Sequence, residues 1–226
     1  MGQVLLALAS FLILHVALAE QPLRGALVRR LGERPFLVGY GTLAILQLLW
    51  IGWALDGAPA IIYWQAPPWT HLVPLLVMPL ALLLMVCGFS QNNPTASMAP
   101  ARAARREMVG VLAITRHPVM WGLGLWSLAH LAVVGDAAQA LRFVCFAVLA
   151  LGFLWRIEAK QRAKWGAAAW ADFAARSSNL PFLALLQGRA RLRWSEIGWL
   201  RGGAALLLYL ALIAGGHEKL TGVAAW

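Results

Sequence analysis

"ITRHPVMWGLGLWSLAHLAVVGD", residues 114 to 136, is an apolar run that opens on one histidine, His117, and carries a second, His130, in its middle. An imidazole in such a run costs free energy unless its ring nitrogens find partners. Pro118 is suited to the first turn of a helix. From there the run has the composition of a segment that enters a bilayer behind the boundary residues Arg116 and His117. That reading sets the class of the whole chain.

The remaining composition agrees with it. Of 226 residues, 61% are hydrophobic and only 12% charged, which is too apolar for a soluble domain of ordinary make-up. A mean hydropathy of +0.70 and 12 tryptophans point to a membrane, where tryptophan collects at the two interfaces. The net charge of +10 forms no basic stripe with interleaved aromatics, so nucleic acid is not the expected partner; the lipid bilayer is. Cys87 and Cys145 each stand alone in an apolar run, and no cysteine–histidine spacing of the zinc type is present.

A span needs roughly 20 apolar residues. Six segments qualify, approximately 3–20, 36–55, 71–89, 118–134, 139–157 and 197–215. The expected fold is therefore all-α, a polytopic helical bundle of a single domain over 1–226. Segments 21–35, 90–117 and 156–201 carry 17 of the 19 lysines and arginines; the opposite face keeps Arg142 and Lys219. The positive-inside rule then places three basic loops in the cytoplasm and both termini outside it, in a bacterial-type inner membrane. The first segment ends in Ala17-Leu18-Ala19, like a signal-peptide cleavage site, but its basic cluster follows the apolar run instead of preceding it, as in a retained span. "KQRAKWGAAAWADFAARSS" reads as an interfacial amphipathic helix displaying Trp165, Trp170 and Phe173. The stretch after it, broken by Pro181 and Gly188, returns along the surface until Ser195 caps the last span.

Depth sorts the five histidines. His71 and His217 fall at span ends on the outer face, and His117 lies at the cytoplasmic boundary, where water and headgroups solvate it. His130 stands 12 residues past Pro118, roughly 18 Å in, and His15 stands 7 residues before Pro22, roughly 10 Å in. Polar side chains at such depth face the bundle interior and mark function. The acidic residues Glu20, Asp56 and Asp136 cluster at span ends, so neither deep histidine has an evident carboxylate. Two imidazoles are too few for zinc, whereas haem is satisfied by two axial imidazoles in an apolar pocket. Gly122, Gly124, Ser127 and Ala129 leave room beside the fourth span for a flat ring or for another helix. Arg116, with Arg29, Arg30 and Arg34 on the same face, is the expected partner of a haem propionate, and His117 stands at that end of the site.

"RHPVMWGLGLWSLAHLAVVGD" resembles the RHP…AH…GD block of the NnrU family, to which 15-cis-ζ-carotene isomerase is related. His15, the loop "LRGALVRRLGER" at 23–34 and "EAKQRAKWGAAAWADFAARSSNLPFLALLQGR" at 158–189 fit as well, so the resemblance covers most of the chain. It implies an integral membrane protein able to bind haem b, with His15 and His130 matching the proposed axial ligands of the isomerase. NnrU proteins are associated with denitrification and nitric oxide metabolism. The isomerase implies a second function, cis–trans isomerisation of a carotenoid or other lipophilic polyene. Ser127 departs from the isomerase pattern, where a cysteine would supply an alternative thiolate. A third function follows from the "RHP" tripeptide with the charged helix "WRIEAKQRAKWG", which resembles membrane isoprenylcysteine-type methyltransferases; those carry paired glutamates where this chain has only Glu158, and they do not need His15.

Overall fold

The computed structural model describes residues 1–95 and 108–225, and their regular structure is helical apart from one isolated β-bridge. In chain order the helices begin with α1 (Gly2–Ala19), α2 (Leu23–Leu31), α3 (Glu33–Asp56) and α4 (Leu72–Ser90), the last entered through a 3-10 turn at Pro68–His71. Next come α5 (Val111–Ile114), α6 (Pro118–Leu131), α7 (Ala137–Ala147), α8 (Leu154–Trp165) and α9 (Ala167–Ala175). The chain continues through α10 (Leu183–Leu186), α11 (Trp194–Ile197), α12 (Trp199–Ala211) and α13 (His217–Thr221). A π-helical turn at Val148–Gly152 joins α7 to α8, and another at Leu212–Gly216 joins α12 to α13.

Five helical runs are long and apolar enough to cross a membrane: Gly2–Ala19, Glu33–Asp56, Pro68–Ser90, Ala137–Trp165 and Trp199–Thr221. They answer to five of the six expected spans. The expected span over 118–134 differs, because α6 has 14 residues, about 21 Å of rise against about 30 Å of hydrocarbon. Its helix stops early because the carbonyls beyond it serve other partners: Val134 O accepts from Tyr63 Oη and Trp64 Nε1, and Gly135 O from Tyr63 N. The three arginines Arg102, Arg105 and Arg106 of the basic loop at 90–117 lie outside the described residues.

The chain forms two compact units, Met1–Gln65 with Val134–Cys145, and Ala66–Val133 with Phe146–Trp226. In the first, α1 packs on α3. Val4, Ala7, Leu8 and Phe11 are buried on α1, and Gln47 Nε2 of α3 donates to Ser10 Oγ at 3.1 Å. Polar groups in an apolar helix pair are tied to each other in this way because no water is there to take them. A small clasp closes the same unit. Ile61 N donates to Asp136 Oδ2 at 3.0 Å and Ala137 N donates to Ile61 O at 2.9 Å, while Asp136 Oδ1 caps the Gln139 N–H of α7. A Cβ at Gly135 would collide with the Trp64 carbonyl, so only glycine lets the two strands of the clasp approach.

In the second unit α4 and α6 lie in close contact. A Cβ on Gly122 would stand 2.8 Å from Ala81 O, and one on Gly88 2.9 Å from Val119 N. A Cβ on Gly124 would stand 2.6 Å from the Leu151 side chain. The room that the small residues leave beside α6 is thus taken by α4 and by the π-helical turn, not by a flat ring. Buried beside this contact are Leu84 and Cys87 of α4, Val111 and Ile114 of α5, and Ile197. On the other side Tyr209 Oη of α12 donates to Leu75 O at 2.9 Å.

The amphipathic helix expected over 160–178 is two helices, because Gly166 takes φ 87 between α8 and α9. Its aromatics turn inward: Trp165, Trp170 and Phe173 form a cluster with ring centroids 5.1–5.7 Å apart, and Phe173 is fully buried. Ser195 is not the cap of the last long helix; it lies within α11, and Gly198 at φ 82 precedes α12.

Gly122→Ala is expected to cost about 1–3 kcal/mol by overpacking the α4–α6 contact. Gly203→Ala on α12, where an added Cβ meets nothing within 4 Å, should leave stability unchanged or slightly higher. Unfolding temperatures of the detergent-solubilised variants check both.

Candidate functional site

The polar site of the second unit is built where the chain leaves helical geometry. After the four-residue α5, Thr115 is extended (φ −153, ψ 147), and Pro118 starts α6. Backbone groups without helical partners must be matched elsewhere when buried. Here the segment 177–182 matches them. Arg116 N donates to Ser178 O at 2.8 Å, Phe182 N to Ile114 O at 2.8 Å, and Thr115 Oγ1 to Asn179 O at 2.6 Å. Thr95 Oγ1 donates to Arg116 O at 2.6 Å, and Trp121 Nε1 to Asn179 Oδ1 at 3.1 Å. Thr115, His117, Ser177 and Ser178 are all buried.

This framework presents His117 to Glu158 of α8, with Nε2 and Oε1 3.1 Å apart. Arg116 Nε lies 3.6 Å from the same carboxylate oxygen, and its guanidinium stands over the Trp170 ring at 5.6 Å. His117 is only 2% exposed, whereas the sequence placed it in the solvated boundary. The correction has a physical reason: a carboxylate and a matched backbone take the place of water. Glu158, for which the sequence shows no partner, is the residue that joins Arg116 and His117 here. Its signal was its position as the one acidic residue in the basic stretch 156–165.

Burial holds the His117 imidazole below its usual value of 6.5, with the Glu158 hydrogen bond pulling the other way. Burial lowers Arg116 too, opposed by Glu158, but a guanidinium keeps its charge. The arrangement is therefore a neutral imidazole and a cation sharing one carboxylate. It can orient a ligand or hold a proton at the imidazole.

The deep histidines sit elsewhere. In the first unit the His15 ring stands between Phe11 and Tyr40, with centroids 5.3 and 5.2 Å away, and Tyr40 Oη donates to the His15 carbonyl at 3.2 Å. His15 Nδ1 is buried without a hydrogen-bond partner. Leu18, Leu43, Ala44 and Gln47 line the crevice beside it. In the second unit His130 Nδ1 lies 2.8 Å from Trp126 O, and its ring is 6.1 Å from that of His217. His217 is thus no isolated surface residue. The structure brings Arg116 and His117 together on Glu158, and His130 together with His217. Among the described residues, no three His, Cys, Asp or Glu side chains gather as a metal cage.

The family model described as NnrU protein matches residues 3–225, nearly the entire chain. The chain belongs to the NnrU family. No curated protein and no solved structure matches it. Family membership and the five apolar helical runs agree on a membrane protein.

The site makes stability depend on pH. The unfolded chain takes up the His117 proton near 6.5 while the folded chain resists it, so the folded state loses stability as pH falls through that value. The unfolding temperature of this NnrU protein in detergent should drop between pH 7.5 and 5.5. His117→Gln should flatten that slope, whatever it does to stability at neutral pH.

Proposed function

We propose that this NnrU-family protein is an inner-membrane protein that binds haem b, with His15 and His130 as axial ligands, and serves nitric oxide metabolism in denitrification. The observation that carries the reading is the buried, unpartnered Nδ1 of His15. A buried ring nitrogen without a partner is costly, and a metal-bound ligand removes that cost. His130 supports it through its contact with Trp126 O, since an imidazole whose Nδ1–H is given to a carbonyl has its lone pair on Nε2, the atom a metal would take. When bound between two imidazoles, haem would supply a redox-active iron that could take a diatomic ligand or a lipophilic double bond only in place of one of the two histidines. This chain's residues would hold and orient it. Arg116, whose Nε is buried without a hydrogen bond, is the donor we assign to a propionate, with His117 fixing Glu158 beside it.

A second reading, methyl transfer, gains from one observation: His117 and Glu158, the two residues that carry the methyltransferase resemblance, are in contact at 3.1 Å. It requires no haem, which makes the two readings separable.

Absorption spectra of the purified protein, oxidised and dithionite-reduced, test the first. His15→Ala and His130→Ala should each abolish a low-spin bis-imidazole spectrum, and His71→Ala should leave it intact. Arg116→Ala should lower haem retention without changing the spin state. Turnover of a cis-polyene by the haem-loaded protein would assign it to the isomerase class. A protein without a Soret band that binds S-adenosylmethionine through His117 and Glu158 would assign it to methyl transfer. The proposed topology has its own check: a cysteine at Arg30 should be shielded from an impermeant reagent applied outside, and one at Lys219 should react.

A further inference from the structure

A basic cleft of about 320 Å³ opens in the second unit, lined by none of the residues assigned above. Arg176, Arg189, Arg191 and Arg193 line it together with one acid, Glu196. The segment Arg189–Arg193 builds most of it. Residues 190–193 carry no helix, and Arg193 is extended (φ −113, ψ 118). In extended backbone successive side chains point opposite ways. Leu192 packs on the buried cluster of Leu84, Val111 and Ile197, which leaves Arg191 and Arg193 exposed on the other side. Arg189 is fixed differently. Its guanidinium donates to the Ala174, Ala175 and Ser177 carbonyls at 2.7–3.2 Å and to Gln187 Oε1. It thereby serves the carbonyls that end α9 while its charge remains. Acidic groups meet only two of the four arginines: Asp172 lies 2.9 Å from Arg176, and Glu196 3.7 Å from Arg193. Glu196 Oε2 also accepts from Gly110 N at 3.2 Å. Among the described residues Arg191 has neither a hydrogen bond nor an ion pair.

The cleft stands at the foot of a span. Trp199 begins the helical run Trp199–Thr221, which is long and apolar enough to cross a membrane. Trp194 and Trp199, on either side of the break at Gly198, are exposed, and so is Leu186 just before the arginines. Tryptophan at the end of a span lies at headgroup level, where its apolar body and its N–H both find suitable surroundings. A stretch that sets exposed tryptophan and leucine beside uncompensated arginines matches a lipid surface, apolar below and anionic at the phosphate. We propose that this cleft binds the headgroup of one anionic phospholipid, with Arg191 and Arg193 donating to its phosphate and Trp194 and Trp199 against its glycerol end. The planar fork of a guanidinium matches phosphate oxygens. Arg193 would exchange Glu196 for the phosphate, and a 3.7 Å contact made by an exposed side chain resists that little. Basic pockets beside membrane helices recognise anionic headgroups through the same chemistry. The inference goes beyond the haem reading and is independent of it, because His15, His130, Arg116, His117 and Glu158 take no part.

The experiment is native mass spectrometry of the purified full chain, released from micelles doped with phosphatidylglycerol or with phosphatidylcholine. One phosphatidylglycerol per chain should be retained, in clear preference to phosphatidylcholine. Arg191→Gln combined with Arg193→Gln should weaken that retention by about tenfold or more. Arg29→Gln combined with Arg30→Gln, which removes two exposed charges from the first unit, should leave it unchanged. Equal unfolding temperatures would show the variants folded. Millimolar inorganic phosphate should not displace the lipid, since a free phosphate gains nothing from Trp194 and Trp199. In nanodiscs of the unmutated chain, phosphatidylglycerol should shield Arg191 and Arg193 from phenylglyoxal, and phosphatidylcholine should not. Absence of retained phosphatidylglycerol, equal retention of both lipids, equal loss in the Arg29 and Arg30 variant, displacement by phosphate, or unshielded arginines would each overturn the proposal, the last without recourse to any variant.

Discussion

The close approach of α4 and α6 is the constraint on which the second unit depends. Gly88 lets Val119 and Pro118 come down onto α4, and Gly122 lets the helices stay in contact for another turn. With Pro118 seated there, His117 must turn away from α6 at φ −123, and the preceding residues must leave helical geometry. The buried polar lattice around Thr115 follows from that exit, because an irregular backbone inside an apolar unit has to be matched group by group. Glu158 then completes the site from α8. A pair of glycines thus governs where a carboxylate meets an imidazole.

Much of this was legible in the sequence, and the limits are physical. Periodicity and run length locate the long apolar helices, since about 20 apolar residues are needed whatever the fold. The same rule does not foresee that residues 118–134 form a helix of only 14 residues, with the Val134 carbonyl bonded to Tyr63 and Trp64. Hydropathy counts side chains and does not see where backbone acceptors go. Gly122 and Gly124 announced a crowded face, yet what crowds it, Ala81, Met85 and Leu151, is a matter of tertiary packing. The aromatics Trp165, Trp170 and Phe173 read as one face of a continuous helix; the turn at Gly166 instead folds two short helices so that the three rings meet.

The histidines show the same division. Depth arithmetic singled out His15 and His130 as costly residues, and each has a distinct environment: an unpartnered nitrogen for one, a carbonyl and a second imidazole for the other. It failed for His117, which is buried, because distance along a helix says nothing about a partner supplied by another one. Glu158 lies 41 residues from His117 in sequence. Long-range polar pairs of this kind carry no local pattern, and only their unusual residue types hint at them.

The clasp between residues 61–64 and 134–137 bears on how the protein can be handled. Five hydrogen bonds, involving Ile61, Tyr63 and Trp64 on one side and Val134, Gly135, Asp136 and Ala137 on the other, fasten what reads as two independent connectors. Both segments look like tolerant places for an epitope or a fluorescent-protein fusion, being short connections between helices, 61–64 exposed and 134–136 half-buried. Inserting into either would undo the fastening and displace the cap of α7, since tolerance follows from the bonding of the affected backbone and not from its distance from a helix. Tags for purification or imaging therefore belong at the chain ends.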